Sequence, residues 1–152
     1  MACDIHSFAE KKTDQGWRFT GLRPFEWSWY GLFGFLADVR NYSAVPPIAE
    51  RRGFPENASD AVHEEYSNWG DDAHSASWLT VQELSEFDYD ALMEDRRVTI
   101  QFPEGHQNSG LTCEPGEGRT MTCREFLGVA FFDELERLKS SGAERIVFWF
   151  DD

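Results

Sequence analysis

Several things are scarce in this sequence, and each scarcity removes a class of function. No apolar run approaches the roughly 20 residues that span a bilayer, and no basic segment followed by a long apolar stretch opens the chain. A cytoplasmic protein with no membrane partner is expected. There are 3 cysteines, Cys3, Cys113 and Cys123, an odd number with no CxxC pair, which argues against a disulfide framework and a zinc finger and predicts reduced thiols. Basic residues are few, 14 against 28 acidic ones, and the net charge of −14 makes direct binding to a nucleic-acid backbone unfavourable. The chain also lacks a Gly-x-Ser-x-Gly elbow, an internal repeat and a linker.

What is abundant is aromatic. With 13 Phe and 6 Trp among 152 residues, the chain can bury a large area per side chain, so a packed core is expected despite 28% charged residues. The charge is unevenly spread: residues 1–55 carry +1, residues 56–117 carry −13 and residues 118–152 carry −2.

Periodicity predicts an α+β fold over a single domain, residues 1–152. Cys3 to Glu10 alternates with a period of two, placing Asp4 and His6 on one strand face and Cys3 on the other. A polar turn ending at Gly16 and the return strand Trp17–Thr20 complete a hairpin. Leu32, Phe35, Leu36 and Val39 give the stripe of a helix over 29–40. Ser59 is an N-cap for a helix to about Asn68, ended by Gly70, and residues 71–77 read as a small-residue polar loop. Thr80-x-x-Glu83 is a capping box opening a helix to about Met93. Val98–Phe102 reads as a strand, and the following eighteen residues as an exposed loop with one strand near Leu111–Cys113. A second capping box, Thr122-x-x-Glu125, opens the longest predicted helix, closed by Ser140-Ser141-Gly142. Glu144–Phe150 is nearly continuously apolar, as a central strand covered on both faces would be. The expectation is a mainly antiparallel sheet holding the N-terminal hairpin and the C-terminal strand, packed with about four helices.

Two Asp-x-His segments carry the chemistry. Asp4 and His6, at i and i+2 on a strand, point the same way, and Asp72 and His74 repeat the pair in the predicted loop. Two Asp and two His suit zinc or another divalent transition metal, and an open coordination position would activate a water for hydrolysis. If the segments share one site, His6 and His74 approach each other. Isolated surface or capping pairs are the plainer reading. Ser75 and Ser77 beside His74 read as loop and cap residues, and Cys3 as a buried, inert thiol.

Arg18, Arg23, Arg40, Arg51 and Arg52, near Trp17, Trp27 and Trp29 in sequence, offer phosphate forks and stacking faces for a small anionic, nucleotide-like ligand. Ion pairing with the carboxylates of residues 56–117 is the simpler alternative. The ligand-binding set read from the sequence is therefore Asp4, His6, Arg40, Arg52, Asp72, His74 and Ser75, with Asp4, His6, Asp72 and His74 as the metal ligands. A different class of function is also open, an acidic surface that imitates nucleic acid and inhibits a host protein. Whether the chain is an enzyme stays open at this stage.

Met1-Ala2-Cys3-Asp4-Ile5-His6, Leu32-Phe33-Gly34 to Arg40-Asn41, Arg52-Gly53-Phe54-Pro55, Trp69 to Leu79 and Val147-Phe148-Trp149-Phe150-Asp151 together resemble a family of small uncharacterised proteins of bacteriophages, prophages and actinobacteria. Members usually begin Met-Gly-Cys-Asp-Ile-His, and Ala2 here replaces the usual Gly. The resemblance covers most of the chain outside residues 84–118. It implies a phage-type accessory protein in the host cytoplasm, one that counters a host defence or alters host metabolism by binding a small molecule or a host protein.

Overall fold

The computed structural model describes residues 2–152. In chain order the elements are β1 (Asp4–Thr13), β2 (Gly16–Phe19), α1 (Tyr30–Ala37), α2 (Asp60–Trp69), a 3₁₀ turn (Gly70–Asp72), β3 (His74–Thr80), α3 (Val81–Glu86), β4 (Leu92–Asp95), β5 (Arg97–Gln101), β6 (Gln107–Thr112), β7 (Arg119–Thr122), α4 (Cys123–Leu127), α5 (Val129–Ser140) and β8 (Arg145–Asp151). The class is α+β, and the N-terminal hairpin and the C-terminal strand share one antiparallel sheet, as their alternation predicted.

Two compact units are formed. The first comprises residues up to Ser28 with Arg51–Phe87 and Val129–Asp152; the second comprises Trp29–Glu50 and Asp88–Gly128.

The first unit is built on a four-stranded sheet in the order β2-β1-β8-β3. β8 lies at its centre because Ile146 to Phe150 are apolar at every position, so the strand is stable only where both faces are covered; all five residues are buried. α2 covers one face, where Val62 and Ala58 pack with Phe8, Val147 and Trp149. Ser59 caps α2 by accepting the Val62 N–H, and Gly70 follows its last residue, as the sequence predicted. Glu10 and Arg145, paired across β1 and β8, form a buried ion pair in the same unit.

The second unit holds two antiparallel ladders, β4–β7 and β5–β6, with α1 and α4. α1 is buried from Gly31 through Ala37, so its sequence is apolar on all sides. It ends at Asp38 in the left-handed region (φ 57°), whose N–H satisfies the carbonyls of Phe33 and Gly34.

Four expectations are corrected. Residues 71–77 are not a loop throughout, since β3 begins at His74. Both capping boxes form, but the helix after Thr80 stops at Glu86; residues 87–91 turn, and the expected last residues Leu92 and Met93 open β4, where Met93 finds Met121 across the β4–β7 ladder. The long helix after Thr122 is two helices, broken where Gly128 takes φ 81°, a conformation that leaves the helical path. The stretch after Phe102 holds two strands rather than one, β6 and β7.

Candidate functional site

Registration of β1, β8 and β3 decides which side chains can meet. Directly paired residues in an antiparallel sheet project to the same face. Ile5 pairs with Phe150 and Phe150 with His74, whereas His6 pairs with Trp149. His6 and His74 therefore lie on opposite faces of the sheet. The shared site expected for the two Asp-x-His segments does not form.

A bulge causes the separation. His74 pairs with Phe150 but Ser77 with Phe148, so three steps along β3 match two along β8. Ser75 sits in the left-handed region (φ 56°) within this interval. Strict alternation from Trp78, which pairs with Val147, would have placed His74 on the face of Trp149 and His6; the extra residue moves it to the face of Phe150, where the two rings stack at 6.3 Å.

On the face covered by α2, His6 Nε2 lies 2.5 Å from Asp151 Oδ2, with both side chains 15% exposed. The imidazole is packed against Trp69 at 4.3 Å and Trp149 at 6.1 Å between ring centroids. Asp4 pairs in register with Asp151 and is exposed. Asp72 is in the exposed 3₁₀ turn before β3.

On the opposite face, alternation continues from Ile5 to Cys3 and from Phe150 to Asp152, so these two residues meet His74 at the end of the sheet. Cys3 Sγ, a ring nitrogen of His74 and a carboxylate oxygen of Asp152 all lie within 4.8 Å of one another. His74 Nε2 is 3.1 Å from Asp152 Oδ1, and His74 Nδ1 is 3.0 Å from Ser75 Oγ. Cys3 is fully buried, His74 half-buried and Asp152 exposed, so the group opens to solvent on its carboxylate side. Cys3 and Asp152 were absent from the ligand set read from the sequence. The signal was present in part: a strand beginning near Cys3 and a strand ending near Asp152, both assigned to one antiparallel sheet, meet at these residues if paired in this register.

The arginines divide between two roles. Arg52 forms a fork on Glu83, Nη1 to Oε1 at 2.8 Å and Nη2 to Oε2 at 2.5 Å, and lies over the Trp78 ring at 4.6 Å. Hydrogen bonding from Arg52 holds the Glu83 carboxyl down at about 2, against the opposing cost of its partial burial. Arg23 pairs with Glu26, and Arg18 donates to Gln15. Arg40 belongs to the second unit, where it donates to the Tyr30 hydroxyl at 3.0 Å. Among the acidic residues of 56–95, Glu83, Asp90 and Asp95 pair with Arg52, Arg124 and Arg119 respectively.

No protein-family model, curated protein or solved structure matches this chain.

Proposed function

We propose that this chain binds a divalent transition-metal ion, with zinc best suited to the donors, through Cys3 Sγ, His74 Nε2 and the Asp152 carboxylate. The observation that carries the reading is the 4.8 Å mutual spacing of a sulfur, a nitrogen and an oxygen donor drawn from three different strands or strand ends. In tetrahedral zinc sites nitrogen and oxygen ligands at about 2.0–2.2 Å from the metal sit roughly 3.2–3.6 Å from each other. The 3.1 Å from His74 Nε2 to Asp152 Oδ1 is already close to that separation. The contact from Nδ1 to Ser75 is the kind of outer hydrogen bond that orients a ligating imidazole and leaves Nε2 for the metal.

Three protein donors leave a fourth position for water or an exogenous group, the arrangement of catalytic rather than purely structural zinc. Metal binding would draw the proton from the Cys3 thiol, and burial of that sulfur would shield the bond from exchange. Taken with the phage-type resemblance, the reading is a small accessory protein with a metal centre at the end of its central sheet, acting on a small molecule in the host cytoplasm.

The test is metal stoichiometry. Protein refolded with zinc and desalted should retain about one equivalent by elemental analysis, and cobalt substitution should give thiolate-to-cobalt charge-transfer absorption. Both should vanish in Cys3→Ser and His74→Ala. Retention of the same metal content in Cys3→Ser, or no stoichiometric metal in the unmodified chain, would refute the assignment.

A further inference from the structure

At the other end of the sheet, on the α2 face, cations and indoles alternate. Arg52 lies 4.6 Å from the Trp78 ring; Arg145 lies 6.0 Å from Trp78 and 3.9 Å from Trp17; Lys12 Nζ lies 5.3 Å from Trp17. Register explains the order, since Lys12 pairs with Trp17 across the hairpin while Glu10, Arg145 and Thr80 align across β1, β8 and β3. Two of the three cations have carboxylate partners inside the fold, Glu83 for Arg52 and Glu10 for Arg145. Lys12 forms no ion pair with any described residue, its contact being the Trp17 ring.

Trp17, Trp78, Arg145 and Lys12 line a groove of about 530 Å³ that runs on to Glu56 and Asn57. Its size falls within the range of small-ligand sites, roughly 300–1,000 Å³. Arg145 is 3% exposed, and among the described residues Glu10 is its acceptor: Nε donates to Oε1 at 2.8 Å, while Nη2 lies 2.7 Å from the same oxygen without hydrogen-bonding geometry. Nη2 has no exposed surface, so what Arg145 gives the wall of the groove is its positive charge, beside the exposed ammonium of Lys12.

We infer that this groove binds a small organic anion in which a planar ring is joined to a phosphate or similar acidic group. The anionic end meets Lys12 and Arg145, and the ring lies along the indoles of Trp17 and Trp78, whose aromatic surfaces are held in place by the stacked cations. Glu56 is the single carboxylate among the lining residues, so it opposes an anion there. The site is on the opposite face and at the opposite end of the sheet from Cys3 and His74, so it stands or falls independently of the metal.

Adenosine 5′-monophosphate is the probe, with adenosine and inorganic phosphate as the two separated halves. Indole N–H resonances of Trp17 and Trp78, assigned with Trp17→Phe and Trp78→Phe, should move on titration with the monophosphate and respond far less to either half. Lys12→Glu changes an exposed side chain and should weaken binding by about ten-fold, the loss of one charge-assisted contact. Glu56→Gln should strengthen binding. Thermal melts of both variants establish that each is folded. No movement of either resonance at millimolar monophosphate, an equal response to phosphate alone, or equal affinity in Lys12→Glu and Glu56→Gln would overturn the inference.

Discussion

Replacing Glu10 with alanine should be the most damaging single polar change in the first unit. Glu10 is 0% exposed and Arg145 3%, and between them one carboxylate serves two elements: Oε1 takes Arg145 Nε at 2.8 Å, and Oε2 takes the backbone N–H of Ser59 at 2.7 Å where α2 begins. Alanine leaves a buried guanidinium with no acceptor and releases the Ser59 N–H. Breaking a buried pair from one side costs about 3–5 kcal/mol, because the surviving charge stays desolvated. A total of about 4 kcal/mol is a large part of the roughly 5–15 kcal/mol that holds a domain together, and at about 2–4 °C per kcal/mol it lowers Tm by roughly 8–16 °C. Glu10→Gln, whose single amide oxygen can keep only one of the two acceptor contacts while its NH2 faces the other donor, should lose somewhat less than alanine. Urea unfolding of Glu10→Leu, Arg145→Met and the double variant completes the test. The double variant should lie well above the sum of the singles, since removing both charges removes the desolvation cost as well. A loss below about 1 kcal/mol for Glu10→Ala, or additive singles, would show that the pair is solvated and refute the reasoning.

Other outcomes follow from particular side chains. Glu83 has its folded pKa lowered from 4.5 to about 2, so its pairing with Arg52 contributes stability that is fully present above pH 4.5 and lost as pH falls toward 2. The pair is partly exposed, so Arg52→Ala should cost only about 1 kcal/mol at pH 7, and the difference from the unmodified chain should close near pH 2 in acid titrations of stability. Burial raises the Cys123 thiol to about 11, so at pH 8 iodoacetamide should label the half-buried Cys113 well before Cys123, as peptide mapping of partly alkylated protein would show. Ser75→Gly should preserve the bulge but remove the hydrogen bond to His74 Nδ1, weakening zinc affinity by about 10–100-fold in competition with a chelator; Ser75→Val should instead destabilise the fold by roughly 1–2 kcal/mol, because a β-branched residue resists the left-handed backbone.

The elements that were legible in the sequence are those specified by adjacent residues. The Ser59 cap, the two Thr-x-x-Glu boxes and the apolar run of β8 are each decided within a few positions, and each is where the sequence put it. What local patterns missed depends on partners far along the chain. Leu92–Asp95 continues an acceptable helical pattern, and only its pairing with Arg119–Thr122 makes it a strand. The candidate site was half visible: His74 was identified, but the bulge at Ser75 breaks the alternation of β3, so its residues read as loop and His74 was matched with His6, which lies on the other face. Cys3 and Asp152 become neighbours only through the β1–β8 register.

That register also governs how the chain reaches its folded state. The β1–β2 hairpin closes over a turn of a few residues and can form in microseconds. The other side of β1 must wait for β8, whose Arg145 lies 135 residues beyond Glu10. By loop-closure entropy that step costs about 3 kcal/mol more than closing the hairpin. Until it occurs, β1 and β3 both lack the strand that lies between them, and each offers an unpaired edge and an apolar face to other chains. The vulnerable interval in this protein's life is the one before β8 inserts, and aggregation during expression should respond far more to substitutions that delay that insertion than to equally destabilising ones in the hairpin.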